Sequence, residues 1–135
     1  MNAVVHTHPP FAIGVISSGY DEIPVMFPDY VVLLGRVPCI DYVVPCSEEL
    51  ADDVVEVLRH PEYQALLMKN HGVITLGTNL LQAYYRTELV EDGARVFYIG
   101  KCVGTPRALT DAETQAILDS EAEKYRIRLL ESKNG

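Results

Sequence analysis

Two histidines stand two positions apart at His6 and His8, and a third, His71, sits between Asn70 and Gly72. In an extended strand the side chains at i and i+2 leave on the same face, so a strand over residues 3–8 projects both rings together while Thr7 points away. Zinc takes neutral imidazole nitrogens at about 2.0–2.1 Å, and a catalytic zinc keeps three protein ligands and one position for water or substrate. Spacing alone leaves the pair open to either reading, metal ligands or polar surface. A third ligand has to come from the other two of the chain's four histidines. His60 precedes Pro61 at an expected helix end, where positive charge is ordinary, so it reads as structural or solvated. His71 is the better candidate, because the adjacent Gly72 permits a backbone geometry that brings the ring close to a site.

These histidines need elements to hold them. Ala3-Val4-Val5 is β-branched and apolar, and Pro9-Pro10 removes two backbone donors, so a strand ends at His8 and must find its pairing partners elsewhere in the chain. Residues 11–17 open a short helix stopped by Ser18-Gly19. The apolar runs 65–68 and 73–76 read as strands flanking the turn that carries His71. Residues 30–34 and 37–44 also read as strands, with Pro38 and Pro45 favouring an edge or a strand end. Ser47 caps a helix to Arg59, with Glu48 and Glu49 in its first turn. From Asn79 the stripe Ala83, Thr87, Val90, Ala94, Phe97 defines a helix that Gly100 is expected to terminate. Thr110-Asp111-Ala112-Glu113 has capping-box spacing and opens a C-terminal helix with Ile117, Tyr125 and Leu129 on its apolar face, before a tail at 131–135 that reads as frayed. The expectation is a single mixed α/β domain over residues 1–135.

Composition narrows the partners. With 135 residues, 48% hydrophobic and 22% charged, the chain has room for one real core. A net charge of −8 argues against nucleic acid, since phosphate binding needs concentrated basic surface. Arg126 and Arg128 are interleaved with Glu121, Glu123 and Glu131 and read as a solvated mixed-charge helix. Cys39, Cys46 and Cys102 form neither a disulfide framework nor a thiolate knot, and no apolar run suits a signal peptide or a membrane span, so a cytoplasmic protein is expected.

The segments Val4-Val5-His6-Thr7-His8-Pro9-Pro10 and Lys69-Asn70-His71-Gly72-Val73 resemble signatures of the class II aldolase/adducin family, in the family's order. Ile23-Pro24, Gly35 before Val37-Pro38, Ser47-Glu48-Glu49-Leu50-Ala51, Gly77, and Glu88 followed by Glu91 extend the resemblance over nearly the whole chain. It implies a central, mainly antiparallel sheet covered by helices, and a divalent metal held by His6, His8 and His71: Zn²⁺, or Mn²⁺ or Co²⁺. It also implies a lyase or epimerase acting on a sugar phosphate or related hydroxy-ketone, with the metal as Lewis acid for an enediolate, and a homotetramer. The alternative within the family is a non-enzymatic, adducin-like assembly domain.

The family's upstream strands and helices, its Gly-rich phosphate-binding segment and its catalytic Glu fall before the His-x-His pair, so an N-terminally truncated domain is expected and no catalytic acid or base is assigned. Asp21, Glu22, Asp29 and Asp41 read as exposed loop carboxylates. The resemblance sets Tyr125 near a tyrosine that some relatives lend to a neighbouring subunit, but its helical spacing with Ile117 and Leu129 favours packing. Cys46, where relatives often carry Gly, reads as a small buried hydrophobe.

Overall fold

The computed structural model describes residues 2–133. Four strands, β1 (Ala3–Thr7), β2 (Cys39–Ile40), β3 (Ala65–Met68) and β4 (Gly72–Gly77), form one sheet in the order β1-β4-β3-β2. β4 pairs antiparallel with both β1 and β3, and β2 lies parallel to β3. Six helices accompany it: α1 (Pro10–Ile16), α2 (Pro28–Leu33), α3 (Glu48–Leu58), α4 (Leu80–Val103), α5 (Asp111–Asp119) and α6 (Glu121–Lys133). The mainly antiparallel, mixed architecture expected from the sequence is the one found.

Strand faces follow the period of two. Ala65, Leu67 and Val73 join Ala12, Val15 and Ile16 of α1 and Val90, Ala94 and Phe97 of α4 in the main core. β3 is buried along its length, as its unbroken apolar run requires. β1 is an edge strand with alternating burial, and Val4 is 63% exposed on the face that also carries His6. One buried polar link ties β4 to α4: Thr75 Oγ1 donates to Ala83 O at 2.7 Å and accepts from Thr87 Oγ1 at 2.8 Å.

Several elements differ from the expectation. Residues 30–34, expected as a strand, belong mostly to the helix α2, because Pro28 occupies the first helical turn with Asp29 beside it, and Tyr30, Val31 and Leu34 then fall on one buried face. Of residues 37–44 only Cys39–Ile40 pairs in the sheet; it is an edge strand beside Pro38, whose carbonyl accepts from Leu67 N at 2.9 Å. α4 runs past Gly100 to Val103, since Gly100 serves a close approach instead: a Cβ there would stand 2.9 Å from Pro106 Cβ.

The single C-terminal helix is two, α5 and α6, broken at Ser120, which takes an extended conformation and accepts from Glu123 N at 3.3 Å. α6 continues through Lys133 rather than fraying at residue 131, and Asn134 and Gly135 lie outside the described residues. Cys46 is exposed, not buried, with φ of 64°, a conformation that suits the glycine the family resemblance places there. Tyr125 is 58% exposed, so it does not pack as its spacing suggested. The Ser47 cap and the Thr110–Glu113 capping box are both present.

Candidate metal centre

β1 delivers His6, His8 follows directly after its end, and the turn between β3 and β4 brings His71 to the same place. The ring centroids of His6 lie 4.8 Å from His8 and 5.0 Å from His71. One ligand nitrogen from each residue lies within 4.8 Å of the others, a convergence of three imidazoles that places together all the residues singled out by spacing and resemblance. His60 is elsewhere, with its Nδ1 3.8 Å from Glu62 and its ring against Tyr63.

The turn that presents His71 has a specific construction. Asn70 takes φ of 55°, a left-handed conformation that asparagine tolerates, and its N–H donates to Ser17 Oγ at 3.2 Å. The tolerance for positive φ therefore rests on Asn70 rather than on Gly72. Gly72 does a different job: a Cβ there would stand 2.5 Å from Thr7 O, 2.7 Å from His8 Cδ2 and 3.2 Å from His6 Cε1. Its missing side chain is the space in which the His6 and His8 rings meet the turn.

The donor set fits a divalent ion. His6 Nδ1 donates to Val73 O at 3.0 Å, which fixes the tautomer and leaves Nε2 as the free lone pair, the usual arrangement for a metal-ligating histidine. His6 Nε2 and His8 Nε2 are 3.1 Å apart, close to the separation of about 3.0–3.4 Å between neighbouring ligands that each lie about 2.1 Å from one ion. His71 Nδ1 is buried and has no hydrogen-bond partner, an orphan nitrogen of the kind a coordinated ion would satisfy. Burial, and then the neighbouring His6 and His8, hold the His71 pKa below its ordinary value, which favours the neutral, ligand-competent ring.

Two residues upstream of His71, Lys69 is gripped by Asp21 at 2.5 Å and Asp41 at 2.8 Å, and these hydrogen bonds raise its pKa. Both carboxylates are exposed, as expected, but they share this lysine instead of standing alone. Asp29 pairs with Arg126 at 2.6 Å. Burial pushes the nearby Cys39 thiol up to about 11, so it stays protonated and poorly nucleophilic.

Sequence reasoning passed over Glu91 and Ser17 as contributors to the site. Glu91 Oε1 and Oε2 accept from Phe11 N at 3.0 Å and Ala12 N at 2.9 Å, across about 80 positions of chain. Its only signal in sequence was the paired Glu88 and Glu91 of the family resemblance; nothing local marked its partner.

A mixed sheet packed with helices, with three imidazoles converging at a strand end and a neighbouring turn, defines an α/β domain with a candidate metal centre. The chain belongs to the class II aldolase/adducin family: residues 1–98 match the class II aldolase and adducin N-terminal domain. It is 34% identical over 100 residues to the L-fuculose phosphate aldolase of Methanococcus maripaludis, covering 73% of this chain and 52% of that protein. It is 32% identical over 117 residues to the 5-deoxy-D-ribulose 1-phosphate aldolase of Bacillus thuringiensis serovar kurstaki, covering 85% and 53%. A solved L-fuculose 1-phosphate aldolase superposes with a TM-score of 0.71 at 26% identity, covering 91% of this chain and 55% of that one. The chain thus spans about half the length of the curated relatives it matches.

Proposed function

We propose that this chain supplies the metal centre of a divalent-metal-dependent, aldolase-type lyase or epimerase acting on a sugar phosphate or related hydroxy-ketone. The observation that carries this reading is the convergence of His6, His8 and His71. The names of the relatives, phosphorylated-ketose aldolases, support the substrate class. An assembly-only role gives three converging imidazoles no use, which favours the lyase reading over the adducin-like one.

In this reading His6, His8 and His71 hold Zn²⁺, Mn²⁺ or Co²⁺, all of which accept imidazole nitrogen. A bound ion would supply Lewis acidity, the chemistry that enediolate-forming carbon–carbon cleavage calls for. The chain's own residues do the rest: the Val73 carbonyl orients His6, Gly72 makes room for the His6 and His8 rings, and burial favours the neutral form of His71. Three neutral ligands leave the ion's positive charge uncompensated for an oxyanion. The assembly proposed is a homotetramer.

Elemental analysis of the purified protein beside His71→Ala tests the centre. Near-stoichiometric divalent metal in the parent and loss in the variant is the expected result; equal, substoichiometric metal in both would sink it. Turnover is tested by following aldehyde release from L-fuculose 1-phosphate and 5-deoxy-D-ribulose 1-phosphate.

A further inference from the structure

The first turn of α1 begins immediately after His8, and its backbone donors are unusually few. Pro9 is the N-cap and Pro10 the first helical residue, and neither has an N–H. Ile13 N already donates to Pro9 O at 3.0 Å. The turn is left with two orphan donors, Phe11 N and Ala12 N, and no cap from its own N-cap side chain. Glu91 of α4 takes both, one with each carboxylate oxygen, at 3.0 and 2.9 Å. An anionic acceptor at a helix N-terminus makes charge-assisted bonds that also suit the helix dipole.

What lies between this clamp and His8 is stiff. Proline fixes φ near −65°, and Pro9 lies at −72°. A residue before proline is confined to extended backbone, so His8 loses freedom as well. A displacement of Phe11 therefore passes through Pro10 and Pro9 to His8 with little slack. Arg95, one turn further along α4, stacks its guanidinium 5.2 Å from the Phe11 ring centroid and holds the same residue from its side chain.

We propose that Glu91 is a positioning residue for the metal centre: by clamping Phe11 and Ala12 it sets, through Pro9-Pro10, where the His8 ring stands relative to His6 and His71. The inference rests on the metal reading of the three histidines. Its physical content is narrower, because it concerns where His8 stands whether or not an ion is bound. Glu91→Gln keeps the size of the side chain but replaces one acceptor with a donor, which then faces a backbone N–H.

The test titrates Co²⁺ into the parent, Glu91→Gln, Glu91→Asp and Ser47→Ala, following the visible d–d bands, and records imidazole ¹H–¹⁵N spectra of each metal-free protein. Ser47→Ala removes the α3 cap, which accepts from Leu50 N at 3.1 Å, and so reports what a lost cap away from the histidines does. Glu91→Gln should weaken Co²⁺ binding by up to roughly 10-fold, the lower end of the loss seen when a group bonded directly to a ligand is removed, and change the Co²⁺ bands. It should also move the His8 imidazole resonances and leave those of His60 in place. Ser47→Ala should lower thermal stability with Co²⁺ affinity and His8 unchanged.

If Glu91→Gln keeps the parent's Co²⁺ affinity, bands and His8 resonances while melting earlier, Glu91 is only a helix cap and the proposal is overturned. Should that variant fail to fold, Glu91→Asp, which keeps the charge but shortens the reach, is judged by the same readouts. A parent that binds no Co²⁺ refutes the metal reading alone, and the His8 resonances of the metal-free variants then decide the positioning claim.

Discussion

A Cβ at Gly72 would press on Thr7 O, a backbone atom, and on the rings of His6 and His8. Backbone paired in a sheet yields little, so Gly72→Ala should cost about 1–3 kcal/mol, toward the upper end, and should lower metal content as the rings are pushed apart. Urea denaturation with an unchanged slope and a lower midpoint would show the first effect. His71 gives a pH dependence of known sign. Its folded pKa lies below 6.5, so as pH falls under that value the unfolded chain binds the proton first, and stability declines until the folded pKa is passed. Metal must also be displaced by protons, so retention after dialysis should fall monotonically from roughly pH 8 to 5. Retention that is flat over that window would contradict three imidazole ligands. At this scale much was legible in the sequence, since His-x-His on a strand and a histidine beside glycine are local patterns. The Glu91 clamp was not, because its partners are far away in sequence and are backbone amides, which carry no side-chain signature.

Among the elements, α1 is a strut between the two halves of the site. Its start follows His8 and is held by Glu91, and Ser17, just past its end, accepts from Asn70 N beside His71. A seven-residue helix is too short to be stable by itself, so these end contacts and its buried Ala12, Val15 and Ile16 hold it. α4 is fixed to the sheet by Thr75 and Thr87. Thr75→Val should cost about 1–3 kcal/mol, since it strips the buried Thr87 hydroxyl of its short bond and leaves that hydroxyl a weak contact of 3.5 Å to Ala83 O. The double variant Thr75→Val/Thr87→Val should cost less than the sum of the singles, and additive costs in a denaturation cycle would show that the pair is not coupled. The long stripe of α4 was readable because it repeats over many turns. Residues 30–34 were misread because five apolar residues fit a strand or a helix equally, and Pro28, which decides the matter, lies outside the run.

At the scale of the molecule, α4 exposes apolar side chains toward both of its ends, Leu80, Leu81, Tyr84 and Tyr85 at one and Tyr98 and Ile99 at the other. Clustered apolar side chains of this kind mark a surface suited to contact with other protein. β1 adds an unpaired sheet edge with Val4 outward, and a groove of about 680 Å³ between α2, α4 and α6 is walled by Leu34, Leu81, Tyr85 and Ile127. No helix among the described residues is long and apolar enough to cross a membrane. The proposed homotetramer would cover this surface with further copies of the chain. Light scattering should therefore give a mass above that of one chain at micromolar concentration. The variant Leu81→Glu/Tyr85→Glu should shift it toward the monomer by placing charges in the contact, with metal content unchanged because neither residue touches a histidine. A monodisperse monomer for the parent would count against association, and an unshifted oligomer in the variant would move the contact from α4 to the β1 edge.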